Sequence, residues 1–174
     1  MLIREAQSAD AAGIAKVHVD TWLSTYRGTI SDSYLDSLSY ESAERSARGR
    51  LEAQDESFTY VAETETGEIV GFAAAGPERD GNSRYKGELY AIYVLKARQK
   101  EGVGSLLLQA VAGRLVEMGI RSMLVWVLAD NPSREFYERL GGRLLESEFI
   151  EIGDAEYEEV AYGWDDVTAL LAQA

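Results

Sequence analysis

The spacing of apolar residues changes repeatedly along the chain, and each change marks a new element. Residues 2–6 read as a short strand. Ser8-Ala9-Asp10 then offers a helix cap before residues 11–25, where Ile14, Val17 and Leu23 recur at helical spacing. Gly28 breaks that helix, and residues 31–38 and 40–53 read as further helical pieces. The period then shortens to two. Residues 57–63 (SFTYVAE) alternate, a turn forms around Gly67, and residues 69–75 alternate again, which is a hairpin pattern. A polar loop over 77–87 leads to a strand over 88–94 (ELYAIYV), a glycine-rich turn, and a helix over 105–118. That helix carries Leu106, Leu107, Ala110, Val111 and Leu115 on its apolar face and stops at Gly119. Residues 123–128 (MLVWVL) are almost wholly apolar, as a strand covered on both faces should be. Pro132 sits just inside a helix over 133–140 that ends at Gly141-Gly142. Two strands, 143–152 and 156–164, are joined by Gly153-Asp154. The order predicts a single α/β domain over residues 1–174, with a mixed sheet of about seven strands and one crossover unit over 88–128. Strict alternation along 88–94 puts Tyr90 and Tyr93 on opposite faces, so that they do not line one pocket.

Composition narrows the chemistry. With 174 residues, 46% of them hydrophobic, the chain can bury one real core. There is no cysteine, which excludes disulfides, thiolate metal sites and a cysteine nucleophile. The lone histidine, His18, excludes a His-rich metal site, and no metal is expected. A formal charge of −13 argues against nucleic-acid binding and suits cationic small molecules or basic peptide tails, or simply solubility. The N-terminus has no basic start followed by an apolar core, and no apolar run approaches the ~20 residues that span a bilayer. A soluble cytoplasmic protein with no membrane partner is the expectation.

The chemically informative stretch is ELYAIYVLKARQKEGVGSLLLQ. A strand ends near Val94, and the segment from Gln99 to Gly104 turns the chain into a helix. N–H groups at a helix start are unpaired, and glycines there let an anion approach them. No Gly-Lys-Ser/Thr follows, so this is not a P-loop. Leu107 stands where a dinucleotide fingerprint would place its third glycine.

Gln-x-x-Gly-x-Gly after such a strand, followed by NPSREFYERLGG, resembles the GNAT superfamily of acyl-CoA-dependent N-acetyltransferases. The likeness is close over most of 88–143, and the element order agrees over nearly the whole chain. It implies a mostly antiparallel mixed sheet, flanked by helices, with a splayed parallel central pair. It further implies that Gln99, Lys100, Glu101, Gly102, Val103, Gly104 and Ser105 wrap the pyrophosphate of acetyl-CoA. Ile92, Tyr93 and Val94 would pair their main chain with the pantetheine arm, Asn131 would bond its side, and Arg134 is a candidate for a cofactor phosphate. His18, Trp22 and Tyr26 share one helix face and are the candidate acceptor groove. The resemblance leaves a homodimer open.

Acetyl transfer to an amine needs a proton acceptor, an oxyanion donor and a proton for the departing thiolate. Tyr137, with a phenol pKa near ~10, is the candidate acid. Backbone N–H groups of 92–94 would serve the oxyanion. Glu88 is the candidate base, acting through water, with a solvated strand-end charge as the bland reading. The expected reaction is direct attack by a primary amine, in agreement with the lack of cysteine. Acidic residues in 146–159 favour a small cationic acceptor such as a polyamine or aminoglycoside. A protein or peptide amine acceptor, or a non-catalytic acyl-CoA sensor, are the alternatives.

Overall fold

The computed structural model describes residues 1–172, so the last two residues of the domain expected over 1–174 lie outside the described residues. Seven strands form one sheet: β1 (Leu2–Glu5), β2 (Phe58–Glu63), β3 (Ile69–Pro77), β4 (Gly87–Val94), β5 (Met123–Leu128), β6 (Arg143–Ile152) and β7 (Ala155–Trp164). Their spatial order is β1-β2-β3-β4-β5-β7-β6. Every neighbouring pair is antiparallel except β4 with β5. The helices are α1 (Ala11–Tyr26), α2 (Asp32–Asp36), α3 (Tyr40–Leu51), α4 (Val103–Glu117), α5 (Arg134–Arg139) and α6 (Thr168–Leu171). Ser8-Ala9-Asp10 forms a turn of 3₁₀ helix rather than a side-chain cap. Asp10 instead accepts the Gln7 N–H at 2.8 Å and pairs with Arg4.

The apolar stripe of each helix explains the layering. Leu107, Leu108, Val111 and Leu115 of α4 pack on Val70, Ala73, Leu89 and Val125. On the opposite face, Ile14 and Val17 of α1 and Ala47 of α3 cover Val61, Ile69 and Phe72. Strand β3 is therefore buried along nearly its whole length, and its run of small apolar residues is the consequence. Truncating a fully buried leucine such as Leu107 should cost about 2–5 kcal/mol.

The one parallel pairing is short. Gly87, Glu88 and Leu89 pair with Met123, Leu124 and Val125, and the ladder stops there. Beyond it β5 turns its other edge to β7, through to Leu128 opposite Glu159, while β4 continues along β3. The two strands part at their C-terminal ends. Tyr90 is the extra residue of a bulge, because Ala75 pairs with Leu89 and Ala74 with Ala91. A bulge breaks two-residue alternation. Tyr90 and Tyr93 both line the cleft at the splay, as does the whole of 88–94, contrary to the expectation that they do not line one pocket.

Candidate active site

The splay opens a cleft of about 790 Å³, in the range of small-ligand sites. One end is built by the loop that enters α4. Gly102 takes φ +84°, a conformation that costs a side-chain-bearing residue about 1–2 kcal/mol. Lys100 adopts φ 65° without being glycine. Among the described residues, the backbone N–H groups of Lys100, Glu101, Gly102, Val103, Gly104 and Ser105 have no hydrogen-bond partner. Six consecutive free donors at the start of a 15-residue helix, with the helix dipole behind them, are the chemistry an anion requires. Gln99 Nε2 ties the loop to the strand end by donating to the Val94 carbonyl at 3.0 Å. Lys100, Gly102, Gly104 and Ser105 line the cleft, and a Cβ on Gly104 would lie 3.3 Å from Phe136. Val103 points into the core instead, and Glu101 is exposed beside Arg98.

The adjoining wall is the unpaired edge of β4. Leu95 N–H bonds Val70 of β3, so by alternation the N–H groups of Val94 and Ile92 point the other way, into the gap. That edge can take an extended ligand as an added strand. Diphosphate donors and a bare strand edge together fit the phosphate and pantetheine parts of acetyl-CoA.

Tyr137 of α5 lies opposite. It is 5% exposed and lines the cleft. Among the described residues no hydrogen bond engages its hydroxyl. Burial, with Tyr93 and Tyr26 adding to it, pushes its phenol above the ordinary tyrosine range. Asn131 also lines the cleft. Its Nδ2 donates to the Tyr26 hydroxyl at 2.7 Å, and its Oδ1 accepts the Ser133 N–H at 2.8 Å. Arg134 corrects the expectation of a phosphate ligand. Its Nε donates to the Tyr162 hydroxyl at 3.1 Å and its Nη1 to the Ala129 carbonyl at 2.9 Å, turning it away from the cleft. The guanidinium on α5 that does reach the cleft is Arg139, which sequence reasoning missed.

Glu88 is 2% exposed, which removes the reading of a solvated strand-end charge. Arg79, in the loop before β4, donates to it from Nη2 at 2.5 Å, Nε at 3.1 Å and its backbone N–H at 3.3 Å. The carboxylate raises the Arg79 pKa further. Arg79 stacks in turn on Tyr90, 4.4 Å from the ring centroid.

Of the three aromatic residues read from α1, Trp22 and Tyr26 line the cleft. His18 stands behind them, stacked on Tyr93 at 5.4 Å with near-parallel rings. Burial, with the Arg50 charge adding, lowers its pKa. Thr21 Oγ1 is buried without a partner on a residue that lines the cleft, and the buried Trp22 Nε1 faces Tyr93. Glu148 and Glu159 line it as well, directly opposite each other across the β6–β7 ladder. Burial, Glu148 and Glu88 together push the Glu159 carboxyl up to about 7. Among the described residues no helix is long and apolar enough to cross a membrane, and no metal-holding cluster of His, Asp and Glu occurs.

Comparison with known proteins agrees with this geometry. The model of the acetyltransferase (GNAT) family matches residues 18–142. The chain is 41% identical over 173 residues to the uncharacterized N-acetyltransferase YuaI of Bacillus subtilis (strain 168), covering 97% of this chain and 95% of that one. An acetyltransferase of the GNAT family from Streptococcus pneumoniae superposes with a TM-score of 0.67 at 26% identity, over 94% of this chain and 98% of the other. The PaiA N-acetyltransferase of Thermoplasma acidophilum, solved in complex with coenzyme A, shares the fold with a TM-score of 0.70 at 19% identity, over 94% and 98% of the two chains. The chain belongs to the acetyltransferase (GNAT) family, and by that membership it is an acetyl-CoA-dependent N-acetyltransferase.

Proposed function

We propose that the protein acetylates a primary amine on a small cationic acceptor. The observation that carries this reading is the charge layout of the cleft. Lys100 of the loop before α4 and Arg139 of α5 line the cleft, whereas Glu148 and Glu159 stand together on β6 and β7 and make no ion pair among the described residues, Arg79 being bound to Glu88. An ammonium entering there meets two carboxylates in a partly desolvated groove, where attraction is stronger than in water. Trp22, Tyr26 and Tyr93 supply aromatic faces that favour a cation or an apolar stem.

Acetyl-CoA supplies an acyl thioester, whose carbonyl carbon the amine attacks. Residues 100–105 offer its pyrophosphate their free N–H groups, Gln99 ties that loop to the strand end, and Ile92 and Val94 offer the extended arm the open edge of β4. The N–H groups of Ile92 and Val94 face the gap and are placed to donate to an oxyanion. Asn131 keeps one Nδ2 hydrogen for the cofactor while its other bonds Tyr26. Tyr137, protonated at neutral pH as an ordinary phenol is and kept so by burial, donates to the departing sulfur. Glu88 holds Arg79, and with it the loop before β4 and the Tyr90 ring, at the wall of the cleft. A screen of amines against acetyl-CoA, followed by thiol release, tests the reading. Preference for polyamines or aminoglycosides supports it, and acetylation confined to protein or peptide amines replaces it.

A further inference from the structure

We propose that Glu159, facing Glu148 across the β6–β7 ladder, is the catalytic residue that takes the proton from the acceptor's ammonium. The inference rests on the amine-site reading above and names the group that prepares the nucleophile.

Position comes first. Glu159 pairs with Leu128, the last residue of β5, where that strand has left β4. Its other neighbour is Glu148 of β6. Both carboxylates line the cleft that holds Tyr137. Thr21 Oγ1, in the wall of the same cleft, is buried and has no hydrogen-bond partner among the described residues. A buried polar atom without a partner in a cleft wall marks a place where a ligand supplies one.

Availability comes second. Glu88 was the base expected from sequence, but its oxygens accept three hydrogen bonds from Arg79. Glu159 and Glu148 make no ion pair among the described residues. Two carboxylates at hydrogen-bond range with no cation between them share a proton. The groups facing Glu159 are Glu148 on β6, Glu88 on β4, Arg79 in the loop before β4 and Tyr26 on α1. Burial, Glu148 and Glu88 raise the pKa of Glu159 to about 7, and only Arg79 opposes them. A carboxylate so placed accepts a proton near neutral pH and returns it to water, as an ordinary glutamate does not.

Protons balance. The Glu159 carboxylate accepts one proton from the ammonium, which frees the nitrogen lone pair. After the N–C bond forms, Tyr137 gives its proton to sulfur as the C–S bond breaks, and the second proton lost by nitrogen restores the Tyr137 phenol. Each turnover leaves one proton, which Glu159 passes to solvent.

The test measures pH–rate profiles for wild type, Glu159→Gln and Glu148→Gln, using the fastest of spermidine, kanamycin and a lysine-containing peptide. The same variants are followed by ¹³C NMR of the glutamate side-chain carboxyls without ligands. Wild-type kcat/KM should show an acidic limb near pH ~7, and Glu159→Gln should lower kcat about 10²-fold or more and lose that limb. In Glu148→Gln the like charge is gone, so the limb and the Glu159 carboxyl titration should both move to lower pH. An unchanged limb in Glu159→Gln, or a Glu159 carboxyl titrating with ordinary glutamates, overturns the proposal while the amine site stands. Turnover with none of the three amines overturns the amine site and the proposal together.

Discussion

The buried carboxylate of Glu88 is held by Arg79, whose own side chain is 60% exposed. The pair thus joins a core strand to a surface loop at the wall of the cleft. Arg79→Ala leaves a buried carboxylate without its donors, and stability should fall by about 1–3 kcal/mol in urea unfolding. Arg79→Lys should recover only part of that, because an ammonium cannot form the two-pronged contact. If Glu88 positions Arg79 rather than relaying a proton, the wild-type to Glu88→Gln rate ratio should be flat from about pH 6 to 9. A ratio that grows toward the acid end would restore the water relay to Glu88.

Tyr137 has a hydroxyl with no hydrogen bond to lose among the described residues, inside an otherwise apolar contact with Phe136, Tyr162 and Trp164. Tyr137→Phe should therefore fold with unchanged or slightly higher stability. Its kcat should drop by roughly 10²–10⁴ if the phenol protonates sulfur, with little change in coenzyme A affinity. A calorimetric Kd beside single-turnover rates separates the two, and an unchanged rate would assign Tyr137 to packing alone.

At the loop before α4, Gly102→Ala meets no neighbouring atom, yet its φ of +84° should cost about 1–2 kcal/mol. Gly104→Val meets Phe136 and also blocks approach to the free N–H groups. Coenzyme A binding should be strongly weakened in both variants while the unliganded fold persists. Lys100→Gly relieves the positive φ and should raise stability by up to about 1 kcal/mol. Differential scanning fluorimetry with and without coenzyme A reads all three, and wild-type affinity in Gly104→Val would refute the anion site.

Much of this arrangement was legible in the residues. All seven strands were legible, β2 and β3 from alternation around a glycine turn, β5 from its continuous apolar run, and the others as short runs between turn residues. The helix α6 was not, since four residues hold about one turn and show no period. The bulge at Tyr90 leaves no signal in ELYAIYV, and alternation did not anticipate that both tyrosines line the cleft. Nothing in the sequence sets Arg79 and Arg139 apart from the other arginines, and only the folded loop and the short α5 bring them to the cleft. The acidic run 146–159 was visible, but which two carboxylates meet depends on the β6–β7 register, displaced by an irregularity between Leu144 and Ser147.

Glu159 also links stability to pH. Its carboxyl is raised to about 7 in the fold, against about 4.3 in an unfolded chain. Between those values the folded state holds the extra proton, so this contribution is full below the unfolded pKa and is lost as pH rises through about 7. Since Glu159 is only partly buried, solvent screening reduces the effect to the order of 1 kcal/mol. Glu159→Gln should match wild type near pH ~5 and melt a few degrees higher near pH ~8. Melting curves at the two pH values decide it, and an equal difference at both would remove the titration.

The account turns on a cationic amine meeting Glu148 and Glu159 in a cleft whose other end holds acetyl-CoA. The most direct test is amine-dependent thiol release from acetyl-CoA with spermidine and with glutamate as rival acceptors, each at low and high salt. Spermidine should be strongly preferred, with a KM that rises as salt screens the carboxylates while kcat holds. Equal turnover of glutamate, or a spermidine KM indifferent to salt, would contradict the assignment of the acidic wall to the acceptor.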